Sequence, residues 1–257
     1  MKGEWLIFAS DEILSVWRKF DHFPMETLTK AWYFQKNTGK KQREVAQMKE
    51  HREQYGITGN CFDLALWLLH EFEKEGIEAY PIGHDMGTED AHVAVIAKSE
   101  KGHRYYCDLG DQWLNPVLVD ADSEDYTEER LEGFFPAAEI QVQSAGDLCT
   151  VLYHRPNGKS SQQSFHLAPI PIHEFWQAAE VCQNIVQKEP LLECRVPYKN
   201  ETAHWEFYDW ESFLSTTEGL FNEPETESIE EWCVRIHQKT GYDTKFLSEA
   251  LNIYKKM

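Results

Sequence analysis

The chain has 257 residues, and 25 Lys plus Arg against 44 Asp plus Glu leave a formal net charge of −19. So acidic a molecule repels phosphate backbones, which argues against nucleic acid as a partner. A hydrophobic share of 42%, rich in Trp, Tyr and Phe, excludes a disordered chain.

The apolar patch Trp5-Leu6-Ile7-Phe8-Ala9 runs at once into Asp11 and Glu12 and is too short for a signal-peptide core. The first sixty residues read as helical. Ile13, Val16, Trp17 and Phe20 fall at helical spacing behind an acidic first turn. The basic run Lys40-Lys41 with Arg43 reads as a solvated helix end. Gln42 to Tyr55 reads as a charged amphipathic helix or a long exposed connector. Leu64 to Phe72 is apolar nearly all round, the mark of a helix buried on most faces. Thr58 or Asn60 can cap it, and Gly76 closes it. Its longest apolar run, Leu64 to Leu69, is far below a membrane span, so no membrane partner is expected.

From Ala79 the period changes to that of strands. Ala79 to Ile82, His92 to Ala97 and Arg104 to Leu109 read as three, with Ser99-Glu100-Lys101-Gly102 as a turn. Shorter β signals follow at Val117 to Val119, Glu139 to Val142, Thr150 to His154 and Ser164 to Leu167. The acidic stretches Asp120 to Glu132 and Glu218 to Glu231 read as loops or solvated faces. Ile172 to Gln187 returns to helical spacing, with Phe175, Ala178, Ala179 and Cys182 on one side. Cys194 to Tyr198 and Trp205 to Tyr208 read as edge strands, and Ile229 to Thr240 and Lys245 to Tyr254 as closing helices around Gly241.

Six cysteines without a CxxC pair match neither a disulfide scaffold nor a zinc site, so reduced thiols in a cytoplasm are expected. Cys61 stands out because it follows Gly59 where the buried helix begins. Helix N-termini favour a thiolate, and their free N–H groups can hold an oxyanion. His92 opens the strongest strand and Asp108 ends the next. A three-residue loop, Ser99 to Lys101, pairs Lys98 with Gly102 and sets His92 directly opposite Asp108; a loop one residue shorter or longer offsets them. A carboxylate beside the imidazole fixes its tautomer and stabilises its charged form, as a thiol nucleophile requires. Cys107 points to the other face and reads as core. His84, Asp85, Asp90 and His92 offer metal-ligating groups without the regular spacing of a helical site, so no metal is expected. Trp113 and Trp67 can line an aromatic pocket, although Trp67 reads as core.

Three blocks resemble the arylamine N-acetyltransferases, within the transglutaminase-like and papain-like cysteine enzymes. They are Gly59-Asn60-Cys61-Phe62-Asp63-Leu64, Asp90-Ala91-His92-Val93-Ala94-Val95 and Tyr105-Tyr106-Cys107-Asp108-Leu109-Gly110. Asn115-Pro116-Val117-Leu118 and the stretch from Phe175 through Asn184 to Pro190 are similar to later segments of that family. The resemblance implies Cys61, His92 and Asp108 as a catalytic triad. It implies an α+β, cysteine-proteinase-like fold: a helical part over 1–78, a central antiparallel β-barrel-like sheet over 79–172, and an α/β lid over 173–257. It further implies acetyl-CoA as co-substrate, a Cys61 thioester, and ping-pong transfer to an arylamine or hydrazine. Two family positions differ. The family's Arg-Gly-Gly-aromatic run reads Ile57, Thr58, Gly59, Asn60, which removes an arginine anchor beside the nucleophile. Its Gly-Phe-Gly reads Gly110, Asp111, Gln112, which replaces an aromatic wall of the acceptor pocket. The alternatives are a transglutaminase-like amidase or peptidase using the same triad, or a catalytically inactive binding module.

Overall fold

The computed structural model describes residues 8–36 and 39–257, so Trp5, Leu6 and Ile7 of the N-terminal apolar patch lie outside the described residues. The first elements are α1 (Asp11–Trp17), extended by a 3-10 turn to Phe20, then β1 (Met25–Glu26), α2 (Leu28–Lys36), α3 (Val45–Tyr55) and α4 (Cys61–Lys74). Next come β2 (Ala79–His84), β3 (His92–Lys98), β4 (Arg104–Cys107) and β5 (Val117–Leu118). They are followed by β6 (Leu131–Phe135), β7 (Ala138–Ala145), β8 (Leu148–His154), β9 (Ser160–His166) and α5 (Ile172–Asn184). The chain continues through β10 (Leu191–Tyr198), β11 (Glu201–Tyr208), β12 (Glu211–Thr216) and β13 (Gly219–Asn222) to α6 (Ile229–Thr240) and α7 (Thr244–Tyr254). None of these helices is long and apolar enough to cross a membrane.

The strands form three antiparallel sheets, ordered β2-β3-β4-β5, β6-β7-β8-β9 and β1-β10-β11-β12-β13. The fold is α+β, as expected, but the expected single barrel-like sheet is two four-stranded sheets of open order, with no closed barrel among the described residues. The division falls at the acidic stretch after Val119. Asp120 leaves the ladder to accept from the Arg104 backbone N–H and guanidinium, both at 2.6 Å. Glu132 belongs to β6 rather than to the loop.

β10 and β11 are not edges. Two unexpected strands extend their sheet on one side, and β1 closes the other, pairing Met25 with Glu193 and Glu26 with Leu192. Glu218 to Glu231 hid β13, and its Glu223 is not simply solvated. It accepts from Trp205 Nε1 at 2.9 Å and Ser212 Oγ at 2.8 Å, and pairs with Lys239 at 2.9 Å.

Two hydrophobic cores result. The first packs α1, α4 and α5 against the two four-stranded sheets. The second buries Leu192, Cys194, Val196, Ala203, Trp205 and Phe207 against α2, α6 and α7. Side chains alternate across a strand, so the opposite face of β10 and β11 carries Glu193, Arg195, His204 and Glu206. Leu247 on α7 is fully buried in the second core. Leu247→Ala is expected to cost about 2–5 kcal/mol in urea unfolding, from lost burial and the cavity left behind.

Candidate active site

Cys61 is the first residue of α4, and a capping box fixes that terminus. Asn60 Oδ1 accepts from the Asp63 N–H at 3.1 Å, and the Asp63 carboxylate accepts from the Asn60 N–H at 3.3 Å. Asn60 is therefore the cap. Thr58 is used elsewhere, donating to Pro24 O at 2.6 Å and bonding the Tyr242 hydroxyl.

The expected loss of an arginine anchor is not found, and Arg43 is no solvated helix end. It is 2% exposed, pairs with Asp63 at 3.0 Å and donates to Thr58 O. Gln42 Nε2 donates to the other Asp63 oxygen at 2.8 Å, and Gln183 on α5 donates to Asp63 at 3.2 Å. A buried polar network thus grips the first turn of α4. Gly59 makes room for it. At φ 153°, a Cβ there would fall 2.1 Å from Asp63 Oδ2 and 2.6 Å from the Arg43 guanidinium.

The hairpin that presents the histidine has a five-residue loop, Ser99 to His103, closed by Ser99 N–H to His103 O at 2.9 Å. Lys98 pairs with Arg104 rather than with Gly102. His92 and Asp108 are therefore not directly opposite. The shift is two residues, which preserves the face, and they meet diagonally. His92 Nε2 donates to Asp108 Oδ2 at 2.8 Å, leaving Nδ1 as the ring nitrogen for the thiol. The extended register sets Gly110 against His92. A Cβ at Gly110 would lie 2.8 Å from Cys61 Cβ, 2.9 Å from His92 Cε1 and 3.1 Å from Asp108 Oδ1. Cys61, His92 and Asp108 thus converge on one bare backbone position.

Asp108 is fully buried, and also accepts from the Tyr106 hydroxyl at 2.6 Å and the Asp111 N–H at 3.0 Å. Burial alone would raise its pKa, but the His92 charge and these hydrogen bonds hold it below its ordinary value. Burial likewise opposes charge on His92. The charges of Asp108 and Asp111, then hydrogen bonds to Asp108 and Cys61, raise its pKa well above 6.5. Asp111 stands 3.6 Å from His92 Nε2 and accepts from Tyr153 at 3.1 Å and Gln163 at 2.7 Å. Burial raises its pKa, and Asp108 adds to the rise against the pull of His92. Tyr106 and Asp63 escaped the sequence reading as site residues, although Asn60-x-x-Asp63 is a legible capping box.

Other expectations fare differently. The ligating atoms of His84, Asp85, Asp90 and His92 do not form one cluster; His84 bonds Asp85 at 2.8 Å while His92 turns to Asp108. Trp67 and Trp113 both belong to the first core, so Trp113 is not a pocket wall. Cys107 is buried as expected, and burial pushes its thiol up. All six cysteines are free, and Cys61 alone is partly exposed. A cavity of about 490 Å³ opens beside Asp111, lined also by Tyr153, Gln163, Glu193, His204 and Glu206.

The pKa shifts give opposite pH signatures. The His92 pairing stabilises fully below its ordinary 6.5 and is lost as pH rises through its folded pKa. That of Asp108 is present above its ordinary 3.8 and is lost as pH falls through its folded pKa. Asp108→Asn is expected to lower the His92 pKa markedly, and Asp111→Asn by less, in NMR titration of the imidazole. Gly110→Ala is expected to slow iodoacetamide alkylation of Cys61 by about tenfold or more, because its methyl displaces the thiol and the imidazole together.

No protein-family model matches the sequence, and neither does any curated protein. Solved structures do. The chain superposes on an arylamine N-acetyltransferase from Nocardia farcinica with a TM-score of 0.71 at 13% identity, covering 94% of this chain and 89% of that one. The Mycobacterium marinum enzyme in complex with CoA gives 0.69 at 11%, covering 97% and 95%. A Bacillus cereus enzyme with a Cys-His-Glu catalytic triad gives 0.65 at 13%, covering 92% of each chain. Over nearly its whole length, this chain has the fold of the arylamine N-acetyltransferases.

Proposed function

We propose that the protein is an acyltransferase that carries an acetyl group from acetyl-CoA to an amine as a thioester on Cys61. The observation that carries this reading is the convergence of Cys61, His92 and Asp108 on Gly110, at the N-terminus of α4. The fold shared with the N-acetyltransferases, one of them in complex with CoA, supports the donor. In the first half-reaction, the Cys61 thiol passes its proton to His92 and Sγ attacks the acetyl carbonyl. The first-turn N–H groups of α4 face the developing oxyanion, and the C–S bond to CoA breaks. The departing CoA thiolate takes a proton from His92. In the second half, an amine attacks the thioester and gives its proton to His92, and the Cys61 thiolate leaves. Asp108 holds Nε2, so that Nδ1 stays toward the sulfur. Arg155 and Lys159, which line the cavity, suit the phosphates of the donor. A reducing cytoplasm suits six unpaired cysteines.

Intact-protein mass spectrometry after incubation with acetyl-CoA tests the reading. A single acetyl adduct is expected on the wild type and none on Cys61→Ala. Rapid alkylation of Cys61 with no adduct from any acyl thioester overturns the transferase and leaves the amidase. Slow alkylation as well makes the triad vestigial.

A further inference from the structure

The cavity beside Asp111 has an acidic inner wall that the proposed triad does not use. Glu193 on β10 pairs across the sheet with Glu206 on β11, and His204 lies two residues before Glu206 on the same face. One ligating atom from each of the three lies within 4.8 Å of the others. Neither glutamate forms an ion pair with a Lys or Arg among the described residues; the one ionic contact is Glu193 with His204 at 3.6 Å. Arg155 and Lys159 line the same cavity, and the Arg155 charge opposes the pKa rise of Glu206, but neither forms an ion pair with a glutamate of this wall. Arg195 donates to the carbonyls of Trp113 and Phe20, and Arg155 donates to Ser161 at 2.9 Å.

The hydrogen-bond inventory points the same way. Two buried atoms on this wall lack a partner, His204 Nε2 and Gln163 Oε1. The amide oxygen is an acceptor, and the imidazole nitrogen is a donor or an acceptor according to its tautomer. Burial pushes His204 down to about 4, so the ring is neutral near pH 7. Burial also raises Glu206 to about 7 and, with the charges of Glu206 and Asp111 added, lifts Glu193 well above its ordinary value. Glu193 and Glu206 thus stand beside each other with their charged forms disfavoured, next to unpartnered atoms of Gln163 and His204. A cation rich in N–H donors, set between the two carboxyls, would let both ionise and would meet the unpartnered Gln163 oxygen.

We propose that this cavity selects an amine acceptor bearing a second cationic group, such as a short terminal diamine, its distal ammonium held by Glu193 and Glu206 and its near amine presented past Asp111 to Cys61. The proposal rests on the acyltransferase reading for its chemistry and on the cavity alone for its binding. In the transfer step the near amine reacts as the free base. Its lone pair forms the amide C–N bond, the thioester C–S bond breaks, and the amine proton passes to His92 as the Cys61 thiolate leaves. An ammonium is favoured over a bare metal ion because the cavity, at about 490 Å³, has room for an organic chain and continues to Asp111, 3.6 Å from His92. An arylamine has no second charge to satisfy the wall. The aromatic side chain that would stack on it is replaced by Asp111.

Calorimetric titration with diaminobutane and with n-butylamine, a chain of equal length lacking the second charge, tests the selectivity. The diamine is expected to bind at least about tenfold more tightly, the size of one charge-assisted contact. Glu193→Gln and Glu206→Gln, both isosteric, are expected to bring the ratio toward one, with thermal melting as the check on folding. The wild-type ratio itself needs no variant. Equal affinity for the two amines, or a ratio unchanged in both variants, overturns the proposal. Zinc binding that Glu193→Gln abolishes, alongside an unchanged amine ratio, overturns it in favour of a metal site. Product analysis after loading with acetyl-CoA is expected to give mono-acetylated diaminobutane. If Cys61 takes no acetyl group, the acyltransferase reading fails while the binding ratio still decides the cationic site.

Discussion

The buried pair between Arg43 and Asp63 is the constraint on which the site depends. Both side chains are 2% exposed, and Asp63 collects donors from Gln42, Arg43, Asn60 and Gln183, which come from three separate segments. Removing one partner of such a pair costs about 3–5 kcal/mol, because the other is left charged and dry. What the pair secures is position. Asp63 lies in the same first turn as Cys61, so whatever fixes its carboxylate fixes the thiol. Gly59 is the local consequence, since no side chain fits between the two charges.

The second arrangement is a concentration of carboxylates. Asp108 alone would suffice to orient His92, yet Asp111 stands 3.6 Å from the same nitrogen. Two acids hold the imidazole in its charged form more firmly than one. Beyond them Glu193 and Glu206 continue the acidic wall into the cavity. Part of the excess of acidic residues over basic ones therefore lines this cavity rather than the open surface.

Much of this was legible in the sequence, for physical reasons that also mark where legibility ended. His92 and Asp108 come together as read because strand parity survives an error of two residues: the loop is five residues long rather than three, yet both side chains keep one face. The helices came through because 3.6-residue periodicity is a long signal; α6 ends at Thr240 and Gly241 follows, as expected. Arg43 was misread because its partner lies twenty residues away and nothing in a short basic run reports burial. β12 was missed because it carries Glu, Ser and Thr where alternating apolar residues were sought, and β13 because its four residues sit inside an acidic stretch. The acidic cavity wall is assembled from Asp111 and two later strands, a nonlocal juxtaposition that no single stretch encodes.

Strand β1 ties these parts together in time as well as in space. Glu26 donates its N–H to Gly59 O at 2.9 Å while its segment pairs with β10, and Tyr242 reaches back to the Thr58 backbone N–H at 3.2 Å. The loop that delivers Cys61 is thus propped by residues from the far end of the chain. On a ribosome, Cys61 emerges well before α6 and α7, and the loop that holds it gains its Tyr242 prop only once the segment joining them has followed. Contacts of such long sequence separation are closed late and slowly. Cys61 therefore takes its final place only after contacts far along the chain have closed.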